Sequence, residues 1–480
     1  MPGGVATGIT FPTSTAEVAA LVRSAPRVLA IGAQSSLTGG ATPREDLLIS
    51  TRALTDITVL PGHRVRAGAG VRLADLRRLL ASDGLYYPPI PTFDGAFVGG
   101  TIATNAAGAA TFKYGSTRPW IDALTVVLAD GSILELTRGT VMASPDGWFE
   151  LDHPSGHVAR IPVPTYTMPD VAKLSAGYYA TPGMDLIDLF IGSEGTLGIV
   201  TTATLRVIAV PRRLVALVRF DSDRQAVVLT AALRDAARAA WHADGRVDVS
   251  AIEFMDGRAL ALVPDEAFAR AAVARPDRPE AGLLLVQIEL AGDEDPALQE
   301  LSRILSACGV HADPQVALPG DDRGAASLFE LREAVPSSLN ARIAAAKQRV
   351  HPDLQKTAGD FVVPFERLEE SIALYRATFD RFGLEHAIWG HVSDGNMHPN
   401  IVPRSIDDVH RGKEALLEMS RQVVAMGGAP MAEHGVGRTP LKQQMLRELY
   451  GVEGIEQMRA VKRALDPEWK LAAGVLFPST

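Results

Sequence analysis

The sequence predicts an α+β protein of more than one domain, and three observations carry that expectation. A chain of 480 residues is too long for one hydrophobic core. From Ala16 to about residue 212, short β-branched runs alternate with glycine-rich turns. From about Leu214 onward strands and longer amphipathic segments recur, and the last part of the chain reads as mostly helical.

Taken in order, Val28–Ile31 and Leu124–Leu128 are too short for helices and read as strands. Leu73–Leu80 carries leucines at helical spacing and reads as a helix. Val215–Phe220 reads as a strand, Ala226–Ala240 as a helix and Leu283–Leu290 as another strand. The polar, proline-rich Arg275–Glu280 between them is a surface loop. The chain closes on a loop, Ala472 to Pro478, and carries no internal repeat or low-complexity tract.

Composition narrows the function classes. Hydrophobic residues make up 47% and charged residues 21%, an ordinary globular balance. A net charge of −9 argues against a nucleic-acid partner, which requires clustered Lys and Arg. Cys308 is the only cysteine, so neither an intrachain disulfide nor a cysteine-ligated iron–sulfur cluster can form. A redox enzyme built on this chain would therefore pass its electrons to an external acceptor. The first residues, Met1 to Ser14, lack the basic and apolar regions of a signal peptide. No apolar run approaches the ~18 residues of a membrane span, so a cytoplasmic location is expected.

Three glycine-rich segments stand out. The first, Ala30 to Gly40, follows a strand and offers Gly32, Ala33, Gln34, Ser35, Ser36 and Gly39. Small residues there let successive backbone N–H groups point into one concavity, which suits a phosphate. The second runs from Val98 to Gly108 and the third from Phe190 to Val200. None is a dinucleotide G-x-G-x-x-G, and Gly435–Pro440, the nearest approach, ends in proline and lacks a suitable preceding strand. Each alone reads as a tight turn. Three together are harder to explain so, because glycine within strands weakens a sheet unless something approaches the backbone closely.

The strongest chemical signal is the run Ile388 to Ile401. His391 and His398 are seven residues apart, on opposite faces of one continuous strand. Asp394-Gly395-Asn396 between them signals a reversal that can bring both imidazoles to one point. A second segment, Met431 to Gly437, sets Glu433 and His434 on a backbone loosened by two glycines. Singly, each histidine reads as a hydrogen-bonded turn residue and Glu433 as a surface acid; jointly, two histidines and a carboxylate make a divalent-metal site with open positions. Arg332 falls within the apolar stripe Leu328, Val335, Leu339 of a predicted helix, where it must meet an anion, snorkel, or pair with an acid such as Glu333 or Asp360.

These strings together resemble the vanillyl-alcohol-oxidase-type FAD-binding superfamily, and within it the FAD-linked D-2-hydroxyacid dehydrogenases of D-lactate, D-2-hydroxyglutarate and glycolate-oxidase type. The resemblance spans about Phe11 to Pro478 and is most specific at residues 99–108, 192–201 and the two histidine segments. It implies a two-lobed FAD-binding domain over 1–212, an antiparallel-sheet α+β substrate domain over 213–430 and a helical segment over 431–480 returning to the flavin. The first loop, with Gly99, Gly100, Thr101, Thr104 and Asn105, would hold the pyrophosphate, and Thr92 and Gly108 are further cofactor-binding candidates. Gly192, Glu194, Gly195, Gly198, Ile199 and Val200 would line the flavin and adenine. Relatives with covalent flavin carry the attachment histidine where Ser35 stands here, so non-covalent FAD is expected.

The resemblance further implies His391, His398 and Glu433 as ligands of a divalent metal, zinc or manganese, and His434 as catalytic base. Arg332 would take the substrate carboxylate, with Lys356 a second candidate because Lys356 to Asp360 is spaced more loosely than the family's K-x-D. Ser393 replaces a common glycine, and the C-terminal Leu471–Pro478 lacks the family's N-P-G, so no role is carried over there. The expected reaction is oxidation of a small D-2-hydroxy acid to the 2-oxo acid, with an electron-transfer flavoprotein, a quinone or a cytochrome as acceptor and a homodimer as candidate assembly. Two rivals differ in class: a metal-dependent hydrolase on the same residues, or the flavin-binding subunit of a larger glycolate oxidase.

Overall fold

Short parallel strands build the beginning of the chain. Val5–Thr10, Arg44–Ser50 and Val28–Ile31 form a three-stranded parallel sheet, described by a computed structural model of residues 3–478 apart from 90, 92, 153–155, 157 and 243–245. The helix Thr15–Ser24 joins two of these strands and buries Val18, Ala19 and Val22. The Ser14 side chain starts it by accepting a hydrogen bond from Glu17 N. A second sheet of five antiparallel strands follows, in the order Ile57–Leu60, Arg64–Gly68, Ile199–Arg206, Ile121–Val127, Ile133–Thr137. These two sheets are the two expected lobes.

The rest of the chain is organised on a seven-stranded antiparallel sheet. Its order is Gln315–Ala317, Arg212–Phe220, Gly282–Leu290, Asp248–Asp256, His386–His391, Asn396–Ile401, Phe361–Val362. Both faces are covered. On one, Val215, Leu217, Leu283 and Leu285 pack against Leu328, Leu331, Val335 and Leu339 of the helix Asp322–Arg349. On the other, Leu214, Val218, Leu284 and Val286 pack against Leu229 and Leu233 of the helix Asp223–His242 and Leu301 of the helix Asp295–Ala307. Two covered faces explain why these strands read as nearly unbroken apolar runs, each fully buried Leu or Val contributing about 1.5–3 kcal/mol.

Two details refine the sequence reading. The segment read as the second glycine loop is helical from Val98 to Ala103. The terminal helix Pro440–Leu465 is two helices joined at Gly451, where φ is 72°. Beyond it the chain returns to its beginning: Val28 N donates to Lys470 O at 3.0 Å and Ala472 N to Val28 O at 2.9 Å. The buried Lys462 ties this return to the third glycine segment, donating to Thr196 O at 2.6 Å and Leu471 O at 2.8 Å. Among the described residues no helix is long and apolar enough to cross a membrane.

Candidate active site

The hairpin His386–His391/Asn396–Ile401 settles the geometry of the two histidines. His391 lies opposite Asn396 and Trp389 opposite His398, so the imidazoles project from one face with ring centroids 5.7 Å apart. Gly395 makes the reversal possible: its φ is +80°, and a Cβ there would lie 2.3 Å from Val363 O. Glu433 reaches the same point from its own loop, its Oε1 3.2 Å from His391 Nε2 and its Oε2 3.8 Å from His398 Nε2. One donor atom from each of the three lies within 4.8 Å of the others. A divalent ion fits this set.

His391 lies directly across the ladder from Glu253 on the strand Asp248–Asp256. Its Nδ1 bonds to Glu253 Oε1, which leaves Nε2 for a ligand. Burial opposes protonation of His391, but the charges of Glu253 and Glu433 raise it to about 9. Glu253 is in turn gripped by Arg332: Nε donates to Oε2 at 2.6 Å and Nη2 lies 2.6 Å from the same oxygen. Although burial favours its neutral form, Arg332 and His391 hold Glu253 ionised, at about 2. The third face of the guanidinium, Nη1, donates to Glu333 at 2.8 Å. The structure thus pairs Arg332 with Glu333, an acid named from sequence as a possible partner, and with Glu253, which was not.

His434 is the partly exposed member of the cluster. Its ring stacks on His398 with centroids 5.4 Å apart, and its Nδ1 lies 3.3 Å from Asp360 Oδ2. That carboxylate oxygen also accepts the backbone N–H groups of Glu433 at 3.0 Å and His434 at 2.9 Å. Asp360 thereby fixes the loop and its imidazole together. Burial lowers the His434 pKa, so the ring is neutral near pH 7 and able to take a proton. Burial lowers His398 to about 3. A second donor set, Asp360, His398 and His434, also converges here. Lys356 lies 5.7 Å from the centroid of the Trp389 ring, on the same face of the sheet. Among the described residues it has no ion-pair partner, and burial and then Arg332 lower its pKa. A cleft of about 850 Å³ between the two halves of the molecule reaches Glu253, Arg332 and Glu333.

The glycine segments converge beside this cluster. Gly192 N and Glu194 N donate to Ile102 O and Ala103 O at 2.9 and 2.7 Å, stacking the third segment on the helix containing Gly99, Gly100 and Thr101, next to Thr104 and Asn105. Thr38 O in the first loop accepts from Arg438 N at 3.0 Å and from Thr439 Oγ1 at 2.7 Å. Glu194 joins the third segment to the His434 loop, accepting from Val436 N at 2.7 Å and Gly437 N at 2.9 Å. Gly435 is required by that contact: its φ is +70°, and a Cβ would lie 2.8 Å from Glu194 Oε1. A cavity of about 570 Å³ runs along Gly32, Gln34, Gly70 and Phe97. The first glycine segment lines this cavity through Gly32 and Gln34, and the cavity has room for part of a dinucleotide cofactor. The side chain of Ile199 lies in the core with Val28 and Leu471, leaving only backbone to face a ligand. Thr92 lies outside the described residues.

The join at Glu194 has a measurable consequence. Burial raises its carboxyl from 4.5 to about 7, with the two backbone donors opposing only in part. A group whose folded pKa is raised contributes stability that is complete below the unfolded value and is lost as the pH rises through the folded one. Glu194→Gln is therefore expected to flatten the fall in melting temperature between about pH 5 and about pH 8. An unchanged slope in the variant assigns it elsewhere.

The glycine segments thus meet the histidine–carboxylate cluster through the Glu194 contacts to Val436 and Gly437. Residues 215–476 match the C-terminal domain of FAD-linked oxidases, and residues 6–137 match an FAD binding domain. The chain belongs to the FAD-linked oxidase family and is an FAD-dependent oxidoreductase, which removes the hydrolase reading. It is 28% identical over 454 residues to the glycolate oxidase subunit GlcD of Bacillus subtilis (strain 168), covering 93% of this chain and 83% of that protein. It is 28% identical over 468 residues to the D-lactate dehydrogenase of Archaeoglobus fulgidus, covering 95% and 88%. It is 27% identical over 483 residues to the D-2-hydroxyglutarate dehydrogenase of Stutzerimonas stutzeri (strain A1501), covering 98% and 90%. Among solved structures, alkyldihydroxyacetonephosphate synthase shares the fold, with a TM-score of 0.61 at 17% identity over 98% of this chain and 76% of that one.

Proposed function

We propose that this protein oxidises a small D-2-hydroxy acid to the 2-oxo acid, using FAD and a divalent metal ion, zinc or manganese. The observation that carries the reading is the convergence of His391, His398 and Glu433 beside a neutral, Asp360-held His434. Bound FAD supplies the hydride acceptor. A bound divalent ion supplies a Lewis acid that lowers the pKa of the substrate hydroxyl.

The chain's own residues do the rest. His391, His398 and Glu433 would hold the ion. His434 takes the hydroxyl proton, with Asp360 at its Nδ1 holding the ring and stabilising the charge it gains. Arg332, anchored by Glu253, presents Nη1 towards the substrate carboxylate, which takes the place of the half-exposed Glu333. Lys356, with no ion-pair partner among the described residues, is a second basic group for the substrate carboxylate. Three fixed points around C2 leave one enantiomer able to aim its hydrogen at the flavin, and the names of the relatives favour D. An external electron-transfer flavoprotein, quinone or cytochrome reoxidises the flavin.

The flavin is held without a covalent bond, because Ser35 stands at the attachment position and serine offers no imidazole for it. Acid precipitation is expected to release the yellow colour to the supernatant; colour retained in the pellet contradicts this. The functional reading itself is tested by assaying D- and L-2-hydroxy acids of increasing length with an artificial dye acceptor. Chelator-sensitive turnover confined to D-acids supports it. Turnover of L-acids, or of none, overturns it.

A further inference from the structure

Lys173 is a lysine that the chemistry above leaves unused. It lies in the irregular segment between the strands Val158–Pro162 and Ile199–Arg206, and its side chain is 0% exposed. A buried ammonium is costly unless acids surround it, and here two do. Nζ donates to Glu433 Oε1 at 2.5 Å and lies 3.1 Å from Asp394 Oδ2. Each acid belongs to one of the two segments that carry the metal donors. Asp394 occupies the turn between His391 and His398, where its Oδ1 accepts from Asn396 N at 3.2 Å. Glu433 is itself a donor. The ammonium therefore stands where the histidine hairpin and the glutamate loop meet.

The backbone around Lys173 strengthens the join. Ser175 N donates to Met431 O at 3.1 Å and Ser175 Oγ to Ala432 O at 2.9 Å, pinning the residues before Glu433. Leu174 O accepts from Asn105 Nδ2 at 3.3 Å, which ties the same strap to the second glycine segment. The oxygen held by the ammonium, Oε1, is also the one 3.2 Å from His391 Nε2, while Oε2 turns to His398 Nε2 at 3.8 Å. One ammonium between two carboxylates also leaves a surplus negative charge that a dication would meet.

We propose that Lys173 is a positioning residue for the metal site, holding Glu433 against the His391–His398 hairpin so that the three donors are set before an ion arrives. This rests on the metal reading given above. Hydrogen-bonded partners of metal ligands typically contribute 10–100-fold to affinity. The ammonium does for Glu433 what Glu253 does for His391.

The test measures zinc binding by the FAD-loaded protein in competition with a chromophoric chelator, for wild type, Lys173→Met and Asp394→Asn. The wild type is expected to bind one zinc per chain. Lys173→Met is expected to keep its flavin absorbance and bind zinc roughly 10–100-fold more weakly. Asp394→Asn, which removes the second anchor and leaves the glutamate contact, is expected to weaken zinc by a smaller factor. If Lys173→Met fails to retain flavin, the Asp394→Asn result decides alone, and wild-type affinity in it overturns the proposal. Equal or tighter zinc binding by Lys173→Met also overturns it, the tighter case making the ammonium a competitor of the ion. Absence of zinc from the wild type instead overturns the metal reading and this inference with it.

Discussion

Replacing His434 by alanine is expected to lower kcat by about 10²–10⁴-fold, the range that a positioned base supplies, while zinc and flavin content stay at wild-type levels. His434 is the cluster's partly exposed imidazole, its Nδ1 faces Asp360, and desolvation of the ring lowers its pKa. Those properties suit a proton acceptor. The competing assignment is visible in the same geometry, because Asp360, His398 and His434 also form a donor set. Kinetics and metal analysis on one protein sample separate the two. Loss of zinc together with activity makes His434 a ligand, and wild-type kcat removes it from the chemistry.

The next largest effect is expected at Arg332. Its guanidinium spans two acids, Glu253 through Nε and Nη2 and Glu333 through Nη1. Arg332→Ala leaves the ionised, buried Glu253 with His391 alone beside it, and removing one partner of such a pair costs roughly 2–5 kcal/mol. The loss should therefore appear twice, in the melting temperature and in kcat/KM. Arg332→Lys keeps the charge but cannot hold Glu253 with two nitrogens and offer a third to a carboxylate. Its melting temperature should recover more than its kcat/KM for hydroxy acids. Wild-type kcat/KM in Arg332→Ala would make the residue purely structural and turn attention to Lys356.

Much of this arrangement was legible from the residues. The reversal at Asp394-Gly395-Asn396 announced that His391 and His398 converge, since glycine and its polar neighbours favour a turn there. The apolar runs Val215–Phe220 and Leu283–Leu290 announced strands, and the structure extends them by one to three residues. Arg332 announced itself by standing in an apolar helical stripe. What stayed hidden depended on register between distant segments. Glu253 meets His391 only because two strands 138 residues apart pair at that position. One signal did exist: Glu253 is a lone acid within the otherwise apolar Ala251–Met255, and a buried acid must have a partner. Lys173 carried no such mark, being one lysine in an irregular segment whose two acids arrive from elsewhere. The helical start of the second glycine segment was also hidden, because glycine pairs disfavour helix and its support comes from distant segments: the five-stranded sheet and the N–H groups of Gly192 and Glu194.

The central claim is that the flavin takes its hydride from C2 of a D-2-hydroxy acid at the His391–His398–Glu433 site. The most direct measurement is anaerobic mixing of the FAD-loaded, zinc-replete protein with D-lactate, L-lactate or D-2-hydroxyglutarate, followed by flavin absorbance. Bleaching by at least one D-acid, none by the L-acid, and loss of bleaching in His398→Ala protein that keeps its flavin are predicted. Bleaching that survives in His398→Ala, or flavin that stays oxidised with every D-acid tried, contradicts it.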